Sequence, residues 1–125
     1  MNKKGFTLIE VLAVIVILSV IALIVFPEVN KIIKDSRQKS FNTQVDNLIT
    51  ATKKIAVKDT SLLPSPDSGL ATCVTLTDLM NAGEIETDII KDPRKSNENI
   101  TGVIVIQYAV ETKSYVYTYK ENCPN

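Results

Sequence analysis

One carboxylate stands in an otherwise apolar stretch near the start of this 125-residue chain. Glu10 lies in the run from Phe6 to Phe26, where the other polar residues are Thr7 and Ser19. An ionisable side chain in an apolar environment is costly unless it finds an opposite charge or a hydrogen-bond donor. We therefore expect Glu10 to have a specific partner, such as an amine. A glutamate that reaches to the membrane edge is the alternative interpretation.

The run around Glu10 is long enough to cross a membrane. As a helix, its 21 residues extend roughly 31 Å, which matches the hydrocarbon core of a bilayer. Lys3 and Lys4 precede the run, but no Ala-x-Ala pattern follows it, so it does not resemble an ordinary secretory signal peptide. Pro27 ends the run. Because proline lacks an amide hydrogen, it predicts either a kink or local opening of the helix, or it marks the bilayer edge.

Charge is unevenly distributed although the chain is neutral overall. Between Lys31 and Lys58 seven basic residues face two acidic ones, a net charge of +5. From Asp59 onward five basic residues face ten acidic ones, a net charge of −5. A basic helix is compatible with nucleic acid or anionic lipid, and a solvated helix face is the simpler interpretation. In an assembly of copies, the basic segment of one could lie near the acidic segment of another.

The residue types present argue against catalysis. The chain has no histidine, which excludes a histidine-based triad and most zinc sites. The sequence shows no nucleophile–base pair, phosphate-binding loop or cluster of metal ligands, so we predict that the protein is not an enzyme and needs no cofactor. The polar segment 92–99 is a candidate calcium site, although it lacks a spaced set of oxygen ligands.

The elements that position these residues follow from periodicity and turn signals. Beyond Pro27, apolar side chains recur at helical spacing and form one stripe that Arg37 interrupts, so residues 28–58 are predicted to be an amphipathic continuation of the helix. A small head, residues 59–125, follows. It contains a Pro- and Gly-rich loop at 63–69 and a short helix that a capping box opens. The stripe comprises Val29, Ile33, Phe41, Val45, Leu48, Thr52 and Ile55. The capping box is Thr75 with Asp78, and Gly83 is the expected end of that helix.

Two alternating segments, 101–110 and 114–119, predict an antiparallel hairpin. Three tyrosines share one face of its second strand, where they either pack against a helix or stack on nucleic-acid bases. The segment 84–90 is a candidate third strand. Because a hairpin needs a further element to complete a core, the predicted fold class is α+β, with a long N-terminal helix packed on a small antiparallel sheet. The tyrosines are Tyr115, Tyr117 and Tyr119.

The N-terminal residues resemble those of a known family. They read Lys3-Lys4-Gly5-Phe6-Thr7-Leu8-Ile9-Glu10, followed by the apolar helix to Pro27. This pattern resembles the cleavage and methylation site of type IV prepilins, a family that includes the pseudopilins of type II secretion and competence systems. The resemblance implies that a prepilin peptidase cuts between Gly5 and Phe6 and that the new amino group of Phe6 is methylated. Residues 1–5 would then be a leader, and residues 6–27 a transmembrane and filament-core helix.

The resemblance also implies roles and partners. Glu10 is expected to neutralise the amino terminus of a neighbouring subunit and so to set the register of a helical filament. The chain is expected to be a structural subunit of a type IV pilus, built from like subunits on an inner-membrane platform. A pseudopilin of a secretion or DNA-uptake system and a minor pilin with a binding head are the alternatives.

Topology and a disulfide are further expectations from the resemblance. The precursor is expected to be a single-pass membrane protein with a cytoplasmic N-terminus, and the assembled subunit to belong to an extracellular filament. Counting basic residues on both sides of the apolar run favours the opposite orientation. Pilin heads often tie their carboxyl end down with a disulfide, for which Cys73 and Cys123 are the two cysteines present. Free thiols are the alternative.

Overall fold

A computed structural model describes residues 5–124, and these form an α+β fold. The predicted fold class is confirmed, because the second half of a long helix packs on a small antiparallel sheet. The expected leader residues 1–4 lie outside the described residues. The elements are helix α1 (Leu8–Lys58), a 3-10 turn (Thr60–Leu62), strand β1 (Thr72–Val74), helix α2 (Leu76–Asn81), and strands β2 (Val103–Ala109) and β3 (Ser114–Lys120).

The chain divides into two compact units, Met1–Arg37 and Gln38–Asn125. Within the first unit, none of the described residues is buried. A helix that is apolar on all sides and unburied is typical of a membrane span or of the centre of an assembly. Helix α1 does not end at Pro27 but continues through it, as predicted. Since Pro27 has no amide hydrogen, the carbonyl of Leu23 lacks its usual donor within the helix.

In the second unit, α1 buries the predicted apolar stripe. Phe41, Leu48 and Ile55 are buried in the core, and Val45 packs against its edge. Thr52 is fully buried as well, and its hydroxyl donates to the carbonyl of Leu48 at 2.8 Å, so this polar group is satisfied. The stripe is confirmed at these positions. Val29 and Ile33 belong to the first unit and remain exposed.

The sheet has the order β1-β2-β3, and both pairings are antiparallel. The central strand β2 supplies Ile104 and Ile106, which are buried in the core. They lie opposite Tyr119 and Tyr117 of β3. The predicted hairpin is confirmed with slightly shifted bounds, and Lys113 closes its turn with a positive φ of 53°.

The candidate strand at 84–90 was a wrong prediction, because this segment forms bends and no regular strand. The third strand is β1, which pairs with the free edge of β2. The backbone of the wrongly predicted segment is occupied elsewhere: the Glu84 amide donates to Leu79, and the Ile90 carbonyl accepts from Ile100. The first bond closes the turn after α2, and the second belongs to the isolated antiparallel bridge between Lys91 and Asn99, so these backbone groups have partners outside the sheet.

The short helix α2 begins and ends as predicted. The Asp78 amide donates to Thr75 Oγ1 at 3.1 Å, and the Thr75 amide donates to Asp78 Oδ2 at 3.0 Å, which completes the capping box. Gly83 follows the helix with a φ of 79°, a left-handed conformation that favours glycine. The helix contributes the fully buried Leu79 to the core.

Candidate processing and assembly site

The expected cleavage point lies in accessible backbone before α1. Gly5 and Phe6 precede the first helical residue, and both are exposed. A Cβ placed on Gly5 would meet no other atom within 4 Å, so the chain's own fold does not require glycine at this position. A requirement for glycine here would come from an enzyme that must approach the backbone closely.

Glu10 lies in the first turn of α1, where it forms a second capping box. The Thr7 amide donates to Glu10 Oε2 at 3.3 Å, and the Glu10 amide donates to Thr7 Oγ1 at 3.3 Å. A negative charge at this end of a helix is also favoured by the helix dipole. The role of Thr7 was not predicted from the sequence, although a threonine followed three residues later by a glutamate is the usual signal of a capping box. The carboxylate therefore has a local hydrogen-bond donor but no opposite charge in that box.

The surroundings of Glu10 are apolar. Phe6 and the first two turns of α1 line a shallow hollow of about 520 Å³, in which Glu10 is the charged lining residue. Further along, the Ser19 hydroxyl donates to the carbonyl of Ile15 at 2.7 Å, so the helix satisfies this polar group internally. Helix α1 is the one helix of the described residues that is long and apolar enough to cross a membrane.

A comparison with known families reports on this same segment. Residues 1–26 match the family model described as the prokaryotic N-terminal methylation motif. This chain carries a type IV prepilin-like signature. The motif implies processing by a prepilin peptidase and assembly into filaments. Together with the apolar helix, it fits insertion into a membrane. No curated protein and no solved structure matches the chain.

The head of this prepilin-like chain is fastened by a disulfide between Cys73 and Cys123, whose Cα atoms are 5.9 Å apart. Cys73 lies on the edge strand β1, opposite Val105 of the central strand. Cys123 follows β3, the other edge strand, so the bond links both edges of the sheet across β2. Val105 is fully buried. In the chain-entropy treatment, closing a loop of this length contributes about 4 kcal/mol.

The segment 92–99 engages its own arginine. Arg94 donates from Nη2 to Asp92 Oδ2 at 2.9 Å and from Nε to Asp92 Oδ1 at 3.1 Å, while its amide donates to Oδ1 at 2.9 Å. The Arg94 guanidinium also lies 3.4 Å from the centre of the Phe41 ring, which fixes the segment to α1. Both carboxylate oxygens of Asp92 therefore accept hydrogen bonds from Arg94. Within residues 5–124, no group of three His, Cys, Asp or Glu residues could hold a metal ion.

The tyrosines of β3 pack towards α1. Tyr119 makes an edge-to-face contact with Phe41 at 5.4 Å, and its hydroxyl accepts a hydrogen bond from the Gly102 amide at 3.1 Å. Lys53 of α1 lies over the Tyr117 ring, 5.4 Å from its centre. Burial raises the pKa of Tyr117 and Tyr119 above the ordinary value. This half-buried ladder belongs to the head's own packing rather than to a surface for stacking bases.

Proposed function

We propose that the protein is a structural subunit of a type IV pilus or a related filament. The precursor is inserted in the membrane, cut between Gly5 and Phe6, methylated on the Phe6 amine and assembled on an inner-membrane platform through α1. Its role is scaffolding, without catalysis and without a cofactor. The prepilin-like signature at residues 1–26 and the unburied apolar helix that continues from it support this proposal.

Glu10 is the observation that carries the proposal. When apolar helices associate, this carboxylate loses contact with water, and an uncompensated charge in an apolar environment is costly. The capping box with Thr7 supplies a hydrogen bond but leaves the charge unbalanced. Cleavage before Phe6 would create an amine one helical turn away, and the same amine on a neighbouring copy would balance Glu10 and set the register.

The disulfide supports an orientation with the head outside the cytoplasm. Disulfides form and persist in oxidising compartments and are rare in the cytosol. The bond between Cys73 and Cys123 ties down the carboxyl-terminal end of the head. The N-terminus before α1 would then be cytoplasmic, where the peptidase acts, and the head would face outwards before and after assembly.

Substitutions at Glu10 and Thr7 separate charge from capping. Glutamine can replace glutamate in a capping box but carries no charge. We expect Glu10→Gln and Glu10→Ala to insert and be cleaved normally, yet to reduce the ratio of filament to membrane-retained subunit at least about tenfold, because a buried carboxylate–amine pair is lost. Thr7→Val removes the capping hydroxyl and keeps the charge, so it is the matched control and should assemble.

Immunoblots of sheared filaments and of membranes give the ratio, and mass spectrometry of the amino terminus verifies cleavage in every variant. Assembly of Glu10→Gln at the parent level would reduce Glu10 to a helix cap. If Thr7→Val lost as much assembly as Glu10→Gln, the result would likewise show that Glu10 acts as a helix cap and not through its charge.

A further inference from the structure

The first unit presents a row of unpaired positive charges after its apolar segment. Lys31, Lys34 and Arg37 recur every three residues, so they are neighbours along one side of α1, and all are exposed. None of the three forms an ion pair in the described part of the chain. Ile32 and Ile33 between them are exposed as well. We call Lys31, Lys34 and Arg37 the basic row.

The second unit presents a complementary segment after α2. Residues 84–88 carry three carboxylates, Glu84, Glu86 and Asp88. Glu84 contacts Lys58 at 3.2 Å, and Asp88 accepts from the Thr77 hydroxyl at 3.1 Å. Glu86 is exposed and forms no ion pair among residues 5–124. The acidic segment, residues 84–88, therefore has negative charge that its own surroundings leave unbalanced.

A groove of about 380 Å³ runs beside the acidic segment. Its walls combine apolar side chains with hydrogen-bond acceptors such as the Glu84 carboxylate. A lysine or arginine side chain fits such a groove, because its aliphatic stem contacts the apolar atoms and its cationic end contacts the acceptors. Gln44 lines this groove, and its Oε1 is buried and accepts no hydrogen bond from the described residues. Lys54 also lines the groove. Within the described residues Lys58 pairs with Glu84, whereas Glu86 and Asp88 form no ion pair. The lining includes Gln44, Leu48, Ala51, Glu84, Ile85 and Ile90.

We propose that the basic row of one copy docks on the acidic segment and adjoining groove of a second copy. This inference rests on the proposed filament, in which the apolar helices bring copies together. The occupant is a second copy because one neutral chain carries both complementary surfaces. Exposed ion pairs are individually weak, so these contacts select the orientation of neighbouring heads while α1 supplies the cohesion.

Zero-length cross-linking of the assembled full chain tests the contact. A carbodiimide joins a lysine amine to a carboxylate only when the two touch. The Lys58–Glu84 pair at 3.2 Å provides the reference link within one copy. We expect the cross-linked dimer band to yield peptides that join Lys31 or Lys34 to the acidic segment. Dimers that form through other residues, with these peptides missing, would overturn the inference.

Charge reversal supplies the matched comparison. Lys31→Glu/Lys34→Glu/Arg37→Glu removes the reactive amines and abolishes the interchain link by chemistry alone. Adding Glu86→Lys/Asp88→Lys exchanges amine and carboxylate across the contact and should restore at least about half of the link. Lys113→Glu, at the exposed hairpin turn, changes the same type of charge elsewhere and should have no effect.

Three other results would contradict the inference. The first is a link that does not return when Glu86→Lys/Asp88→Lys is added to the reversed stem variant. The second is equal loss in Lys113→Glu. The third is protection of Lys31 and Lys34 from acetylation by phosphatidylglycerol vesicles without any interchain link, which would assign the basic row to a lipid surface. If the parent chain itself formed no filaments, that result would instead refute the proposed function.

Discussion

Asp92 is a buried carboxylate of the head, and its contribution to stability should vanish in acid. Hydrogen bonds from the Arg94 side chain hold the pKa of Asp92 below its ordinary value of 3.8, against the opposing effect of burial. Above that pH the carboxylate is ionised in both folded and unfolded chains, so the full contribution is present. Below it the unfolded chain takes up the proton first, and the contribution is lost as the pH falls through the lowered pKa of the folded state.

Asp92→Asn should therefore cost about 1.5–3 kcal/mol of unfolding free energy at pH 7 and progressively less below pH of about 3.8. Denaturant unfolding of the full chain in detergent, followed by the circular dichroism of the core tyrosines, measures both. Asp67→Asn removes a carboxylate from an exposed loop and is the control. A cost at pH 3 as large as that at pH 7 would show that the Asp92 contribution does not depend on its ionisation.

At the scale of single residues, the sequence predicted chemistry that depends on neighbours in the chain. Glu10 was conspicuous because it interrupts an apolar run, and Thr75 with Asp78 because capping is local. Thr7 with Glu10 carries the same local signal. The contact of Arg94 with Phe41 joins residues that are distant in sequence, so no spacing rule could indicate it.

At the scale of elements, the cap of α2 gives a testable local contribution. The Thr75 hydroxyl accepts from the Asp78 amide at 3.1 Å, and it satisfies a donor that the helix itself cannot. Thr75→Ala should destabilise the head by about 0.5–2 kcal/mol, whereas Thr75→Ser retains the acceptor and should cost much less.

The midpoint of denaturant unfolding at constant slope compares the two variants. Thr77→Ala removes a neighbouring hydroxyl that bonds to the Asp88 side chain and not to the helix backbone, so it controls for the general loss of a threonine. Equal losses in Thr75→Ala and Thr75→Ser would show that the capping bond contributes nothing.

The elements were predictable in proportion to their length and periodicity. Helix α1 carried an apolar run and then a stripe, and the hairpin carried two alternating runs, so both were confirmed. Strand β1 has three residues, too few to show a period of two. It exists because β2 offers a second edge, which is a tertiary cause. The segment 84–90 has an acidic residue at every second position from 84 to 88, yet its backbone bonds lie in a turn and in an isolated bridge outside the sheet.

At the scale of the whole molecule, the sequence has an N-terminal part suited to association with other helices and a C-terminal part with its own core. The first unit carries apolar side chains on all sides of an unburied helix, while the second has its own core and a disulfide that links both edges of its sheet. Under the proposed topology, the first unit would be surrounded by hydrocarbon or by neighbouring helices, and the second by water in an oxidising compartment. The membrane orientation decides whether both requirements are met at once.

That orientation gives the last prediction. More basic residues follow the apolar run than precede it, and this count favours a cytoplasmic head. The disulfide favours an external head. The disulfide should prevail in this conflict, because a bond that closes fifty residues persists only where it is not reduced. After mild reduction of intact cells, a thiol reagent that cannot cross membranes should therefore label Cys73 and Cys123. Cys73→Ser/Cys123→Ser controls for other proteins in the band, and a cytosolic marker protein verifies intact membranes. Labelling that appears only after lysis would place the head in the cytoplasm and reverse the topology.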